Sequence, residues 1–152
     1  MKFSLSVTFL LLFSLGAFAQ GSEARLREEF GNVPCDDLIA RLDMFLAEVH
    51  NEPSSRGVVV LYEGKYWSYE KEKLVRPVFG EVQMRANLIR SHFSFRGFPT
   101  DRILFVSGGF RDEHHAELWL VPPGAPLPKP KPSLKSVQYR KGKPTSIIPS
   151  CP

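Results

Sequence analysis

Two adjacent histidines, His114 and His115, follow Asp112 and Glu113, so four side chains that can bind a metal ion stand in a row. Neighbouring side chains point in opposite directions in an extended chain, which makes it difficult for both histidines to reach one ion. A closed zinc site needs four converging ligands, and the cysteine spacings typical of such sites are absent. We therefore predict no metal and no cofactor. We interpret the stretch as a solvated loop, with a weak divalent-cation site as the alternative.

A nucleophile for hydrolysis could come from Ser107, which precedes Gly108 and Gly109 at the end of an apolar run. A hydrolase needs a nucleophile, a base and an oxyanion hole. The Gly-x-Ser-x-Gly elbow that exposes a catalytic serine is absent from the sequence. We therefore predict that the chain is not an enzyme, and a small hydrolase remains a minor alternative.

The segment 1–19 has the pattern of a cleavable secretory signal. Lys2 precedes an apolar run that reaches Phe18, and Ala17-Phe18-Ala19 has the small residues that a signal peptidase accepts. Spanning a bilayer takes about 20 apolar residues, and this run is shorter and contains hydroxyl groups. We predict cleavage after Ala19 and an exported protein, periplasmic or secreted, without a membrane span after cleavage. A retained anchor is the alternative.

Two cysteines, Cys35 and Cys151, remain after this cleavage. An even number of cysteines in an exported chain indicates a disulfide. A bridge between the two would close a very long loop, for which chain entropy predicts a stabilisation of up to about 4–5 kcal/mol. The pair is therefore a disulfide candidate, with two separate free thiols as the alternative.

Two helices are predicted within the segment 34–121. The first begins near Asp36, because acidic residues favour a helix start and apolar residues then recur at helical spacing as far as Val49. The second covers 78–95 and keeps one apolar face. Gly97 follows it as the expected cap, because glycine favours the left-handed conformation found after helix ends.

Three apolar runs predict strands, and these are 57–62, 103–106 and 117–121. The first run has no polar alternation, which is typical of a strand buried on both faces. Turns are predicted at 63–65 and from Gly108 to His115. The strand–helix–strand unit should form a parallel crossover, and the last strand should fold back antiparallel. The predicted fold class is α+β, a mixed β-sheet with two main helices packed largely on one face.

Two further segments flank this domain. Residues 20–33 are charged and are expected to form a loose lead-in segment. Residues 122–152 form a Pro/Lys-rich C-terminal tail that carries six basic and no acidic residues. Its proline-rich part should adopt an extended polyproline II conformation. The tail could bind an anionic envelope polymer or act as a solubilising linker. Because the chain is expected to be exported, we predict no nucleic-acid partner.

One segment resembles a known family. It carries Arg85-Ala86 in the second helix, then Gly97-Phe98, and a basic residue before Ile103 at a strand start. This pattern resembles the OmpA-like C-terminal domain, whose central strand is also similar to Val58–Leu61. The resemblance covers about 36–121 and implies a βαβαβ order of elements. The chain also resembles uncharacterised exported bacterial proteins, through the segments 42–45, 108–111 and 117–122.

The resemblance implies binding to peptidoglycan. Family members hold diaminopimelate, with an aspartate after the central strand meeting the ammonium and the arginine of the Arg-Ala pair meeting the carboxylate. Arg85 matches that arginine, and Glu63 lies near the position of the aspartate. The implied function is a non-catalytic envelope-binding module for peptidoglycan or another anionic component, with a degenerate ligand site at Arg85 and Glu63. The alternative is a structural or protein-interaction domain that keeps the fold without ligand binding.

Overall fold

The computed structural model describes residues 23–68 and 70–144. The predicted signal peptide at 1–19 lies outside the described residues, and so does Cys151. Signal cleavage and the Cys35–Cys151 bridge therefore stay predictions. Within the described ranges, no helix combines the length and the apolar character that crossing a bilayer requires.

The described chain combines two helices with one mixed sheet, which confirms the predicted α+β class. The elements are β1 (Arg25–Phe30), α1 (Cys35–Asn51), β2 (Arg56–Ser68), β3 (Lys73–Val75), α2 (Glu81–Phe95), a 3-10 turn (Thr100–Arg102), β4 (Ile103–Glu113) and β5 (His115–Val121). The first helix agrees with its prediction. The second begins three residues later than predicted, because Pro77 and Gly80 precede its first turn and Gly80 has a φ of 91°.

The sheet is mixed and is organised around β2. One edge of β2 pairs in parallel with β4, and the other edge pairs antiparallel with β5, which in turn pairs antiparallel with β1. The far end of β2 also forms a short hairpin with β3. The strand order β1–β5–β2–β4 therefore contains the parallel pair and the antiparallel last strand that the sequence predicts.

The chain crosses β2 between β4 and β5, and Gly64 makes this crossing possible. Only His114 separates β4 from β5, although the two strands pair with opposite edges of β2. A Cβ atom on Gly64 would lie 2.4 Å from the carbonyl carbon of Glu113 and 2.5 Å from the Arg111 oxygen. Only glycine leaves room for so close a backbone approach. The His114 N–H then donates to the Lys65 carbonyl at 2.8 Å.

Both helices pack on one face of the sheet and form the main hydrophobic core with it. This core contains the apolar stripe of α1, three residues of α2, and alternate residues of the strands: Leu38, Leu42, Phe45, Leu46, Val49, Ala86, Ile89, Phe93, Val59, Leu61, Leu118 and Leu120. The Phe45 and Phe93 rings lie 6.4 Å apart, centre to centre. The rigid α1–α2 layer thus holds the first turns of α2 against the C-terminal part of β2.

The C-terminal tail covers part of the opposite face of the sheet. There Val58, Val60, Tyr62 and Val121 form a second buried cluster, against which Ala125 of the tail packs. The Lys131 N–H donates to the Tyr62 hydroxyl at 3.0 Å. The helices cover one face of β2 and the tail covers part of the other. The run 58–62 is therefore buried on both faces, although both helices lie on the same face of the sheet.

Three local predictions differ from the structure. The predicted turn at 63–65 is wrong, because β2 continues to Ser68 and Gly64 serves as the crossing point. The predicted turn from Gly108 is also wrong, because β4 runs on to Glu113 and pairs with β2 through this region, with Ser107 inside the strand. Residues 25–30, expected to be part of a loose lead-in, form the edge strand β1.

Candidate functional site

Polar side chains, most of them buried, gather where the C-terminal part of β2 meets the first two turns of α2. They come from β2, from α2, from the crossing between β4 and β5, and from the tail. We call this group the polar cluster, and its members are Glu63, Tyr66, Glu81, Arg85, His114, Tyr139 and Arg140. Arg85 and Glu63, the two site residues predicted from the sequence, both belong to it.

Glu81 begins α2 and is 1% exposed. No side chain caps this helix at Gly80, and the Glu81 carboxylate instead accepts the Val78 N–H at 2.9 Å. Its negative charge at the first turn is favourable for the helix dipole. Burial nevertheless raises the pKa of Glu81, because the charged form loses solvation that these hydrogen bonds only partly replace. The position therefore favours a nearby cation.

Arg140 of the tail provides that cation. Its Nη2 donates to the Tyr66 hydroxyl and lies 3.3 Å from Glu81 Oε1. The Tyr66 hydroxyl in turn donates to the same Glu81 oxygen at 3.2 Å. Burial raises the pKa of Tyr66, so this hydroxyl keeps its proton and acts as a donor. One guanidinium from the tail thus closes a network with a buried carboxylate and a buried phenol.

Glu63 lies at the end of the cluster nearest the tail. Its Oε2 accepts a hydrogen bond from the Tyr139 hydroxyl at 2.6 Å, and burial together with this carboxylate raises the pKa of Tyr139 to about 12. The other oxygen, Oε1, is buried and has no hydrogen-bond partner among the described residues. Glu63 therefore keeps unused capacity to accept a donor.

Arg85 lies one turn after Glu81 and is 6% exposed. Its Nη2 donates to the Gly31 carbonyl at 3.1 Å, and its guanidinium carbon lies 5.7 Å from the centre of the Phe30 ring. Nη1 is buried without a hydrogen-bond partner in the described part of the chain, and no carboxylate there lies within ion-pair distance of Arg85. Burial lowers the pKa of Arg85 from 12.5 to about 10.

His114 connects the two halves of the cluster. Its ring is buried and stacks on the Tyr66 ring, with 6.2 Å between centres and 9° between planes. Burial lowers the pKa of His114 to about 3, and the Arg85 charge acts in the same direction, while the Gly31 backbone opposes it. The imidazole is therefore neutral. The interpretation of this stretch as a solvated loop is wrong for His114, because the crossing over β2 buries it.

The structure places Arg85 and Glu63 at opposite ends of one cluster and does not pair them with each other. Glu63 and Glu81 contact the tail residues Tyr139 and Arg140. The Arg85 guanidinium, one turn after Glu81, instead contacts Gly31 and Phe30. The cluster thus combines carboxylates, which can bind an ammonium group, with a guanidinium, which can bind a carboxylate.

Sequence reasoning missed Glu81, His114 and the two tail residues. One signal was available for Glu81. It precedes Arg85 by four residues and Arg85 precedes the buried Ile89 by four, so the three share one helix face. No comparable signal marks His114, because its burial depends on the crossing at Gly64.

A second group, on β1 and β5, has metal-ligand atoms close together. Atoms of Glu29, His115 and Glu117 all lie within 4.8 Å of one another. However, Arg111 donates to Glu117 Oε1 at 2.6 Å and the Trp119 indole donates to Oε2 at 3.0 Å. Both oxygens are thus already used, and a metal ion would have to stand beside the Arg111 cation. The group does not fit a metal site.

Comparison with known proteins gives no further guide to these residues. No family model, curated protein or solved structure matches this chain. The roles assigned to the polar cluster therefore rest on its contacts and on the resemblance seen in the sequence.

Proposed function

We propose that this chain is an exported, non-catalytic binding module of the cell envelope. Its polar cluster takes a ligand that carries both an ammonium and a carboxylate group, and the diaminopimelate of peptidoglycan has this chemistry. The observation that carries the proposal is the buried Arg85 guanidinium, which has an unused N–H and no carboxylate beside it among the described residues.

An unpaired buried guanidinium is costly, because the charge loses its hydration and gains no counterion. Core positions of this kind are normally filled by apolar residues, as the neighbouring Ala86 and Ile89 are. A carboxylate ligand would use the free Nη1 of Arg85 and supply the missing negative charge. Anion binding therefore gives a reason for an arginine at this place in α2.

The other end of the polar cluster suits the ammonium group of the same ligand. Glu63 and Glu81 are both buried, and the charge of Glu63 acts to raise the pKa of Glu81, so the two carboxylates are close enough to interact. An ammonium between them would relieve this repulsion. A zwitterionic group such as the diaminopimelate side chain would satisfy both ends together.

The arrangement of elements supports the same proposal. The α+β class and the parallel pairing of β2 with β4 are compatible with the proposal, and the OmpA-like βαβαβ order remains what the resemblance implies. Arg85 lies on α2, the helix in which the resemblance has its arginine, and Glu63 lies within β2, near the position of the family's aspartate. The proposed ligand is the one that the resemblance implies for Arg85.

Sedimentation with purified sacculi tests the proposal. The protein from Gln20 onward should co-sediment with sacculi that contain diaminopimelate. Arg85→Lys keeps a positive charge but loses the planar fork that binds a carboxylate. We expect this variant to lose about ten-fold or more in apparent affinity, in line with the loss of one charge-assisted hydrogen bond at a buried site.

Arg90→Lys is the matched control, because Arg90 lies on the same helix but is exposed. It should sediment like the unaltered protein. Circular dichroism must show that all three proteins are folded. Equal sedimentation of the Arg85→Lys and Arg90→Lys variants would contradict a role for Arg85 in binding.

A protein-interaction domain is the second candidate function, and one observation favours it. A groove of about 390 Å³ lies between α1 and α2, and its walls include Leu38, Ile39, Leu42 and Leu88. Phe95, at one end of the groove, is 83% exposed. An apolar groove of this kind can hold a protein segment. This function would be favoured if co-sedimentation with the envelope were unaffected by Arg85→Lys and lost on Phe95→Ser.

A further inference from the structure

We propose that the tail residues Tyr139 and Arg140 form a latch that closes the polar cluster, with Arg140 occupying the place of a ligand's cationic group. This inference rests on the proposed function, since a latch matters only if the cluster binds a ligand. It assigns to the basic tail a regulatory role inside its own domain. The solubilising and polymer-binding roles considered from the sequence do not require any such contact.

The latch is attached to the domain by its backbone. The Arg140 N–H donates to the Pro77 carbonyl at 2.9 Å, and Val78 and Arg140 form a parallel bridge immediately before α2. Arg140 Nε also donates to the Arg76 carbonyl at 3.0 Å. A further tail residue, Pro144, lies against Gly80 at the start of α2. The tail is thus fixed beside the end of the helix that carries Glu81 and Arg85.

The side chains of the latch take up the acidic end of the cluster. Tyr139 donates to Glu63, and Arg140 contacts both Tyr66 and Glu81. These are the carboxylates that would meet a ligand's ammonium. By contrast, no tail residue among those described contacts the free Nη1 of Arg85. The tail therefore imitates the cationic half of the ligand and leaves the anionic half of the site unfilled.

The latch lies at the edge of the domain, outside both hydrophobic clusters. The Arg140 side chain keeps 33% of its surface exposed while Glu81 is almost fully buried, so the contact is made at the edge of the domain. The segment 139–144 contributes no residue to either hydrophobic cluster. Its release would separate the Tyr139 ring from the exposed Phe79 ring, 5.6 Å away, and the Arg140 guanidinium from the Tyr66 ring, and would leave both hydrophobic clusters intact. A ligand cation and Arg140 would then compete for the same carboxylates.

Arg140→Ala tests the latch, and Lys141→Ala is the matched control because it removes the neighbouring exposed charge. Two measurements are made on each protein from Gln20 onward. Hydrogen–deuterium exchange follows the backbone amides of residues 138–143, and sedimentation follows binding to sacculi that contain diaminopimelate. We expect Arg140→Ala to increase tail exchange and to strengthen binding by roughly five-fold or more, the lower end of ordinary coupling between two sites.

A peptide of residues 133–144, added to the Arg140→Ala protein, should weaken binding again, and the same peptide with Arg140→Ala should not. Faster tail exchange without any gain in binding would overturn the latch while leaving the proposed function in place. Absence of binding by the unaltered protein and by the Arg140→Ala variant, with the tail shown to be released, would overturn both. The exchange measurement therefore separates the two failures.

Discussion

Replacing Gly64 with alanine should destabilise the domain by about 3 kcal/mol or more, as overpacking against a backbone that cannot move does. The added Cβ would lie 2.4 Å from the carbonyl carbon of Glu113. The added Cβ would clash with main-chain atoms of β4, and these atoms cannot rotate away as the end of a side chain can. Relief would require separating β4 from β2. Urea denaturation followed by circular dichroism measures the loss.

Gly31→Ala is the control for this prediction. A Cβ atom there would meet its nearest neighbour, the His114 carbonyl oxygen, at 3.4 Å, and Gly31 does not have a positive φ. This variant should change the free energy of unfolding by no more than about 1 kcal/mol, the size of an ordinary surface or loop substitution. If Gly64→Ala were as stable as Gly31→Ala, the close crossing of β4 over β2 would be contradicted.

The second large effect concerns pH and depends on His114. Its pKa in the folded domain is about 3, against 6.5 for a free imidazole. The unfolded chain therefore binds a proton between these values while the folded domain does not. The stability that His114 contributes is present above pH 6.5 and is lost as the pH falls through this window. The expected slope approaches about 1.4 kcal/mol for each pH unit.

The variant His114→Leu is similar in volume to the wild type and cannot titrate. Its free energy of unfolding should fall less steeply than that of the wild-type protein from pH 6.5 to about 5, a range above the ordinary pKa of carboxylic acids. Glu81, whose raised pKa acts in the opposite sense, is present in both proteins and cancels in the difference. Exposed His50, replaced by glutamine, is the control and should keep the wild-type slope. Parallel slopes for wild type and His114→Leu would contradict the burial of a neutral His114.

The helices and the strand cores could be predicted from the sequence because their signals are local. The apolar stripe from Leu38 to Val49 repeats at helical spacing, and it forms the buried face of α1. The unbroken apolar run 58–62 predicted burial on both faces, although the second cover turned out to be the tail rather than a helix. In each case the pattern predicts that a residue is buried, but it does not predict which segment of the chain covers that residue.

The crossing and the polar cluster could not be predicted in the same way. Glycines at 64, 108 and 109 ordinarily indicate turns, but here Gly64 admits a backbone crossing and Gly108 lies against the Tyr62 ring. His114 is polar in a polar stretch and becomes buried only because the strands pair with opposite edges of β2. Contacts between Glu63 and Tyr139 join residues 76 positions apart, which no local pattern encodes.

Arg85 lies between these cases. Its place on the buried face of α2 follows from helical spacing, and its candidate role came from resemblance to a family. Its lack of an acidic partner among the described residues is visible only in three dimensions. The proposed function depends on that lack, because an arginine held in a structural ion pair would have a carboxylate beside it.

Calorimetric titration with two soluble muropeptides measures whether Arg85 binds a ligand carboxylate. One carries diaminopimelate with a free side-chain carboxylate, and in the other that carboxylate is an amide. The two differ only in the group that we place beside Arg85. The protein from Gln20 onward should bind the free acid and should bind the amide about ten-fold or more weakly, which corresponds to about 1.4 kcal/mol. Equal affinity for the two muropeptides would contradict the account.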